Sequence, residues 1–307
     1  LTLPKATSPA AVSETETLPD DLIAPAAEIF DLSAVRSALF SGLPKSSAET
    51  DIRKHTVATL RDARDAGRAA VAKAFALEPF GARRTTRSYT WITDCIVRLT
   101  FEIATEVLHR RPNPTEAERL SVLSVGGYGR GEMAPYSDVD LLFLTPYKIT
   151  AWAESVIESM LYILWDLRLK VGHSSRTVRD CLRLGGEDFT IRTAMLESRF
   201  LIGDRGLSDD LEKTLWNDLF NATAREFVEA KLSERDARHD KQGQRYMVEP
   251  NVQAGKGGLR DLHSLFWIIK YVHHTDDVSQ LVTAGVFRPE EYETFVQAER
   301  FLWAVRC

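Results

Sequence analysis

Apolar positions along the first third of the chain recur at helical spacing. A short helix is predicted from Leu32 to Leu43, with Asp31 as N-cap, and a long one from Ala48 to Ala76. The strongest signal runs from Thr86 to Arg110, where Trp91, Ile92, Cys95, Ile96, Leu99 and Ile103 fall three and four apart before Pro112 and Pro114. At Leu120 the period changes. Leu120 to Val125 is short, apolar and β-branched, as is Val139 to Leu144, and both predict strands. Ala151 to Leu169 carries one apolar helical face. Lys170 to Thr177 suits a third strand, and Thr190 to Leu201 fits a strand or a helix equally well. Helical periodicity returns after Gly206, in Phe220 to Arg238, Leu262 to Val272 and Pro289 to Cys307. Before Leu32 the chain is rich in Ala, Pro, Ser, Thr and acids and has no period, so it reads as a disordered tail.

This pattern predicts an α+β protein: a small mixed sheet flanked by N- and C-terminal helical regions. The expected division is a tail over 1–31, a helical region over 32–118, an α/β core over 119–205 and a second helical region over 206–307. Hydrophobic residues make up 44% and charged residues 27%, which suits a water-soluble chain, and no apolar run is long enough for a membrane span. A net charge of -5 disfavours a nucleic-acid partner but leaves room for a local basic pocket. Cys95, Cys181 and Cys307 are odd in number and widely spaced, which predicts reduced thiols in the cytoplasm and no structural metal. The chain opens without Met and stops inside a helical pattern, as a piece of a longer protein would.

Chemistry concentrates between Ser124 and Phe143. A strand runs into Gly126-Gly127, where the backbone turns tightly and can approach a ligand, with Arg130 as a bidentate phosphate donor close by. Ten residues on, Ser137-Asp138-Val139-Asp140 opens an apolar strand. Alternation puts the two carboxylates on one face, roughly 7 Å apart at their Cα atoms. Such a pair suits hard divalent cations, which take one or two carboxylates together with substrate phosphates.

The string Gly126-Gly127-Tyr128-Gly129-Arg130-Gly131-Glu132-Met133, followed by Tyr136-Ser137-Asp138-Val139-Asp140-Leu141-Leu142, resembles the nucleotidyltransferase superfamily that includes DNA polymerase β. Within it the string resembles one branch, the bifunctional uridylyltransferase/uridylyl-removing enzymes of PII nitrogen signalling. Two further stretches carry that likeness, Leu169-Lys170-Val171-Gly172-His173-Ser174-Ser175-Arg176-Thr177 and Val248 to Leu262. The resemblance implies a polymerase β-like core and transfer of UMP from UTP to a tyrosine of PII, with Mg²⁺ or Mn²⁺ on Asp138 and Asp140 and release of pyrophosphate. It also implies HD and ACT domains further on. Neither falls in these residues, so this stretch is expected to transfer UMP and not to remove it. His273-His274-Thr275-Asp276-Asp277 lacks the separate His and Asp of an HD motif and reads as helix-end polar residues.

The resemblance implies a third carboxylate, for which Glu197 is the first candidate and Asp166 the second; either equally suits an ion pair with an arginine. Nucleotide contacts are expected from Gly126, Gly127, Arg130 and Ser137. A second set is expected from Lys256, Gly257, Gly258 and Arg260, whose loop resembles an anion site at a helix N-terminus. The alternative for that loop is a capped turn with Asp261 as N-cap. His173 suits a ligand-orienting role or a satisfied histidine, and Arg176 a phosphate contact or an ion pair. A protein adenylyltransferase and a non-catalytic nucleotide sensor remain the competing functions.

Overall fold

A computed structural model of the chain describes residues 19, 21–45, 48–111, 115–242, 251–275, 277–283 and 285–307. The N-terminal helices are α1 (Ala26–Ile29), α2 (Leu32–Ser41), α3 (Glu49–Leu77) and α4 (Ala82–Glu102), the last running on into a wider turn over Ile103–Leu108. The core follows as β1 (Ser121–Ser124), α5 (Gly126–Gly129), β2 (Val139–Thr145), α6 (Ala151–Asp166), β3 (Val171–Thr177), α7 (Val178–Glu187), α8 (Phe189–Leu196) and β4 (Arg199–Gly203). The C-terminal helices are α9 (Arg205–Leu215), α10 (Ala224–Gln242), α11 (Leu259–His273), α12 (Gln280–Thr283) and α13 (Pro289–Arg306).

Among the described residues the strands form one mixed sheet in the order β3-β2-β1-β4. β1 lies antiparallel to β2 and β4, while β2 and β3 are parallel, joined by the α6 crossover. The fold is therefore the α+β class expected, a small sheet between helical layers. Strand alternation sorts the core into two layers. Val122, Val139, Leu141 and Phe143 pack against α3, α4 and α6. Leu123, Leu142 and Leu144 face the other way, onto Cys181 of α7, Met195 of α8, Leu207 and Leu211 of α9 and Trp267 of α11. Short polar caps set the helix starts. Asp31 accepts from the Ala34 N–H at 2.9 Å, Thr150 from Ala153 at 3.2 Å and Asp204 from Leu207 at 3.1 Å.

Two expectations are revised. The ambiguous Thr190–Leu201 stretch is a helix followed by a strand, because its end pairs with β1 (Leu123 opposite Phe200). The disorder expected over 1–31 does not hold for its described part, residues 19 and 21–31. Residues 1–18 and 20 lie outside the described residues, but Leu22, Ile23, Ile29 and Phe30 are buried against α3 and α4. The Ile23 N–H donates to Ser88 Oγ at 3.0 Å, and the Arg84 Nε donates to the Leu22 carbonyl at 2.9 Å. Gly67 of α3 makes the close approach possible, since a Cβ there would sit 2.2 Å from the Ile29 carbonyl oxygen. Among the described residues no helix is long and apolar enough to cross a membrane.

Candidate active site

β1 delivers the chain to Gly126, whose φ of +61° is the left-handed conformation that glycine adopts freely. The short α5 follows, then a loop that returns to β2. Ser137 holds that loop, its Oγ accepting from the Ala134 N–H at 2.9 Å. Asp138 is exposed at the mouth of β2 and Asp140 is half-buried on it. Alternation puts Asp140 on the face of Leu142 and Leu144. Its carboxylate lies between two glycines. A Cβ on Gly126 would be 3.5 Å from Oδ2, and one on Gly172, its register partner on β3, only 2.4 Å from Oδ1. Any side chain at 172 would displace the carboxylate.

Burial, and next the negative charge of Asp138, push the Asp140 carboxyl above the usual aspartate range. Neither aspartate has an ion-pair or hydrogen-bond partner among the described residues. Two converging, unpaired carboxylates, one of them made costly to ionise by its surroundings, fit a divalent cation with hard oxygen preference. Among the described residues no cluster of three or more His, Cys, Asp or Glu side chains joins them.

The candidates for a third carboxylate lie elsewhere. Glu197 follows α8, buried to 3% exposure, and its Oε1 accepts from both Arg130 and the Trp267 indole N–H. Asp166 ends α6 on the opposite layer, paired with Arg53 at 3.2 Å. Arg130 is engaged with Glu197. Its side chain is 8% exposed, it pairs with Glu197, and its Nε donates to Glu132 Oε2 at 2.7 Å. Its third edge lies 3.4–3.5 Å from the His263 ring nitrogens. A guanidinium so engaged acts as a structural clamp between the two carboxylates. Burial raises the Glu132 carboxyl, but the Arg130 charge and the His263 hydrogen bond prevail and hold it at about 2. Burial, then the Arg130 charge, keeps His263 below its ordinary value and so neutral near pH 7.

The glycine loop is closed by its own hydrogen bonds. Gly257 at φ +78° donates its N–H to Asp261 Oδ2 at 2.7 Å. The N–H groups of Gly258, Leu259 and Arg260 go to the carbonyls of Gly255, Val252 and Gln253, each at 2.9 Å. These four amides are turned into the loop. Gly258 is needed for the fold, because a Cβ there would meet the Val252 oxygen at 2.6 Å. Asp261 sits in the first turn of α11, past the N-cap Gly258, and also binds Arg238 and His239. Lys256 is exposed, and Arg260 lies over the Trp267 ring at 5.7 Å. Residues 248–250 of that motif are outside the described set.

Two β3 residues gain weight. Ser174 and Arg176 pair with Leu142 and Leu144 and so share the face of Asp140. Together with Val125 and α8 they line a cavity of about 140 Å³. Arg176 has no acidic partner among the described residues. His173 is on the other face, edge-on to Trp165 at 6.3 Å. The sequence signal for this pair was the alternation of Gly172, Ser174 and Arg176 on a strand beside Asp140.

An aspartate pair behind a glycine turn on a mixed sheet is the arrangement expected of a nucleotidyltransferase. Residues 8–170 match the model of the glutamate-ammonia ligase adenylyltransferases, and residues 226–307 that of the GlnD PII-uridylyltransferases. A bifunctional uridylyltransferase/uridylyl-removing enzyme of Ruegeria pomeroyi is 62% identical over 279 residues, 91% of this chain and 31% of its own length. Its counterpart in Cereibacter sphaeroides is 55% identical over 93% of this chain and 31% of its own length, and that of Rhodopseudomonas palustris 48% over 91% and 30%. The chain belongs to the family of the bifunctional uridylyltransferase/uridylyl-removing enzymes. It spans about a third of the length of these relatives.

Proposed function

We propose that this chain transfers UMP from UTP to a hydroxyl of the PII signalling protein. The single observation that carries this is the unpaired Asp138–Asp140 carboxylate pair, with Asp140 seated between Gly126 and Gly172. Support comes from the relatives, which are named for uridylyl transfer, and from the matching family, which is named for PII; UTP as donor is part of the proposal. The acceptor oxygen attacks the α-phosphorus, the bond to the bridging oxygen breaks, and pyrophosphate leaves. A Mg²⁺ or Mn²⁺ ion held by the two aspartates would neutralise triphosphate charge and favour ionisation of the attacking hydroxyl. The open backbone at Gly126-Gly127 lets phosphate oxygens approach closely. Arg176 and Ser174 offer a cation and a hydroxyl on the same face, within reach of a nucleotide laid along β2 and β3.

Asp138→Ala and Asp140→Ala are each expected to abolish transfer while the thermal melt stays within a few degrees of the parent. The assay is incubation with PII, Mg²⁺ and radiolabelled UTP. Retained labelling of PII by either variant overturns the mechanism. Adenylyl transfer is the second reading, favoured by the match of residues 8–170 to the adenylyltransferase model. Parallel reactions with labelled ATP separate the two, and UTP binding without any labelled product would mark a nucleotide sensor instead.

A further inference from the structure

The loops that lead into β2 and β3 lie at the same end of the sheet, because those strands are parallel. Between them lies a small cavity of about 100 Å³. Four cations line it, Arg64, Arg68, Arg168 and Lys170, with Tyr89 and Tyr136, and no acidic side chain does. Arg64 is paired with the neighbouring Asp65. The other three have no acidic partner among the described residues. This is a local excess of positive charge in a chain with 44 acidic and 39 basic residues.

Two backbone conformations hold this surface in place. Tyr136 has φ +65° and Arg168 φ +59°, left-handed values that non-glycine residues seldom adopt. Arg168 follows the end of α6, a position where glycine is the usual choice. A guanidinium stands there instead and is exposed. Tyr136 is 82% exposed, and the Arg68 guanidinium lies 4.5 Å from its ring centroid. A large exposed ring stacked on a cation is a typical protein-contact feature.

Position decides what binds. Ser137 and Val139 line the cavity on either side of Asp138, while Val139 packs into the layer opposite the Asp140 face. The surface is therefore next to the aspartate pair but across the strand from where a nucleotide lies. Its volume suits one side chain, whereas small-molecule pockets run to roughly 300–1,000 Å³. We infer that the Arg68, Arg168, Lys170 and Tyr136 surface receives an acidic segment of the protein acceptor, holding it at the mouth of β2 so that its hydroxyl meets the Asp138–Asp140 site. The inference rests on the proposed transfer to a protein. Rim charges of this kind act mainly on encounter and register, so the effect belongs in the acceptor's KM.

The test compares the 307-residue chain with the double charge reversal Arg68→Glu/Lys170→Glu and with Arg168→Gly. The glycine variant removes the charge and suits the left-handed backbone, so it guards against a folding failure. Steady-state labelling of PII is read at several salt concentrations, with UTP affinity measured separately. The double variant is expected to raise the KM for PII at least tenfold and to flatten its salt dependence, with kcat and UTP affinity within twofold of the parent. Arg168→Gly should raise the same KM about threefold. A polyglutamate peptide should compete with PII and not with UTP. An unchanged KM for PII overturns the inference, and so does a UTP affinity that falls in step. If the parent chain labels no protein at all, the transfer reading fails by itself. The surface is then judged by direct binding of polyglutamate, which must weaken in the double variant for the inference to stand.

Discussion

Arg130 receives its counter-charges from Glu132, two residues on, and from Glu197, while His263 lies against its remaining edge. Removing the guanidinium leaves the buried Glu197 and the partly buried Glu132 without that cation. Arg130→Ala is therefore expected to cost about 3–5 kcal/mol, seen as a lowered urea midpoint, with any activity that remains showing an unchanged KM for UTP. A phosphate donor would behave in the opposite way, raising that KM with little change in stability. The aspartate pair was legible from the residues because its logic is local: two carboxylates at period two on one strand. The engagement of Arg130 and Glu197 was not legible, since the partners are 67 residues apart and nothing in either stretch encodes the pairing.

At the scale of elements, β3 contributes more to the site than its side chains suggest. Gly172 leaves space over which the Asp140 carboxylate sits. Gly172→Ala places a methyl group 2.4 Å from Asp140 Oδ1, so the carboxylate must rotate away. The residue is exposed and its backbone needs no positive φ, so the melt should hold while kcat falls at least about tenfold. The strands β1 and β2 could be read almost to the residue, because short β-branched runs bounded by glycine and proline have few alternatives. β4 was ambiguous because only its long-range pairing with β1 distinguishes it from a helix. α7 was missed although Thr177 and Asp180 form a capping box at its start, with the Asp180 N–H donating to Thr177 Oγ1 at 3.1 Å. Thr177 is at once the last residue of β3 and the N-cap of α7, so the two signals overlap at one residue.

Across the whole molecule, the cluster of Arg130, Glu132, Glu197, His263 and Trp267 fastens the C-terminal helices to the core. Its pH dependence follows from Glu132. A carboxyl held at about 2 against an ordinary 4.5 contributes stability that is complete above 4.5 and disappears as pH falls towards 2. The amount is about 3 kcal/mol, from 1.36 kcal/mol per pKa unit. Glu132→Gln should lower the urea midpoint at pH 7 and flatten the acid limb, the two chains converging near pH 2. The N-terminal packing of Leu22 to Phe30 shows the opposite limit of sequence reading. Four apolar residues without a period looked unstructured, yet α3 and α4 offer them a groove opened by Gly67. The clamp also bears on modularity. Arg130 and Glu132 fall in the stretch matched by the adenylyltransferase model, His263 and Trp267 in the stretch matched by the uridylyltransferase model, and Glu197 between the two. A chimera that joins the core of one relative to the helices of another inherits half of a charge cluster from each parent, and it can be spliced only where both parents carry the same five side chains.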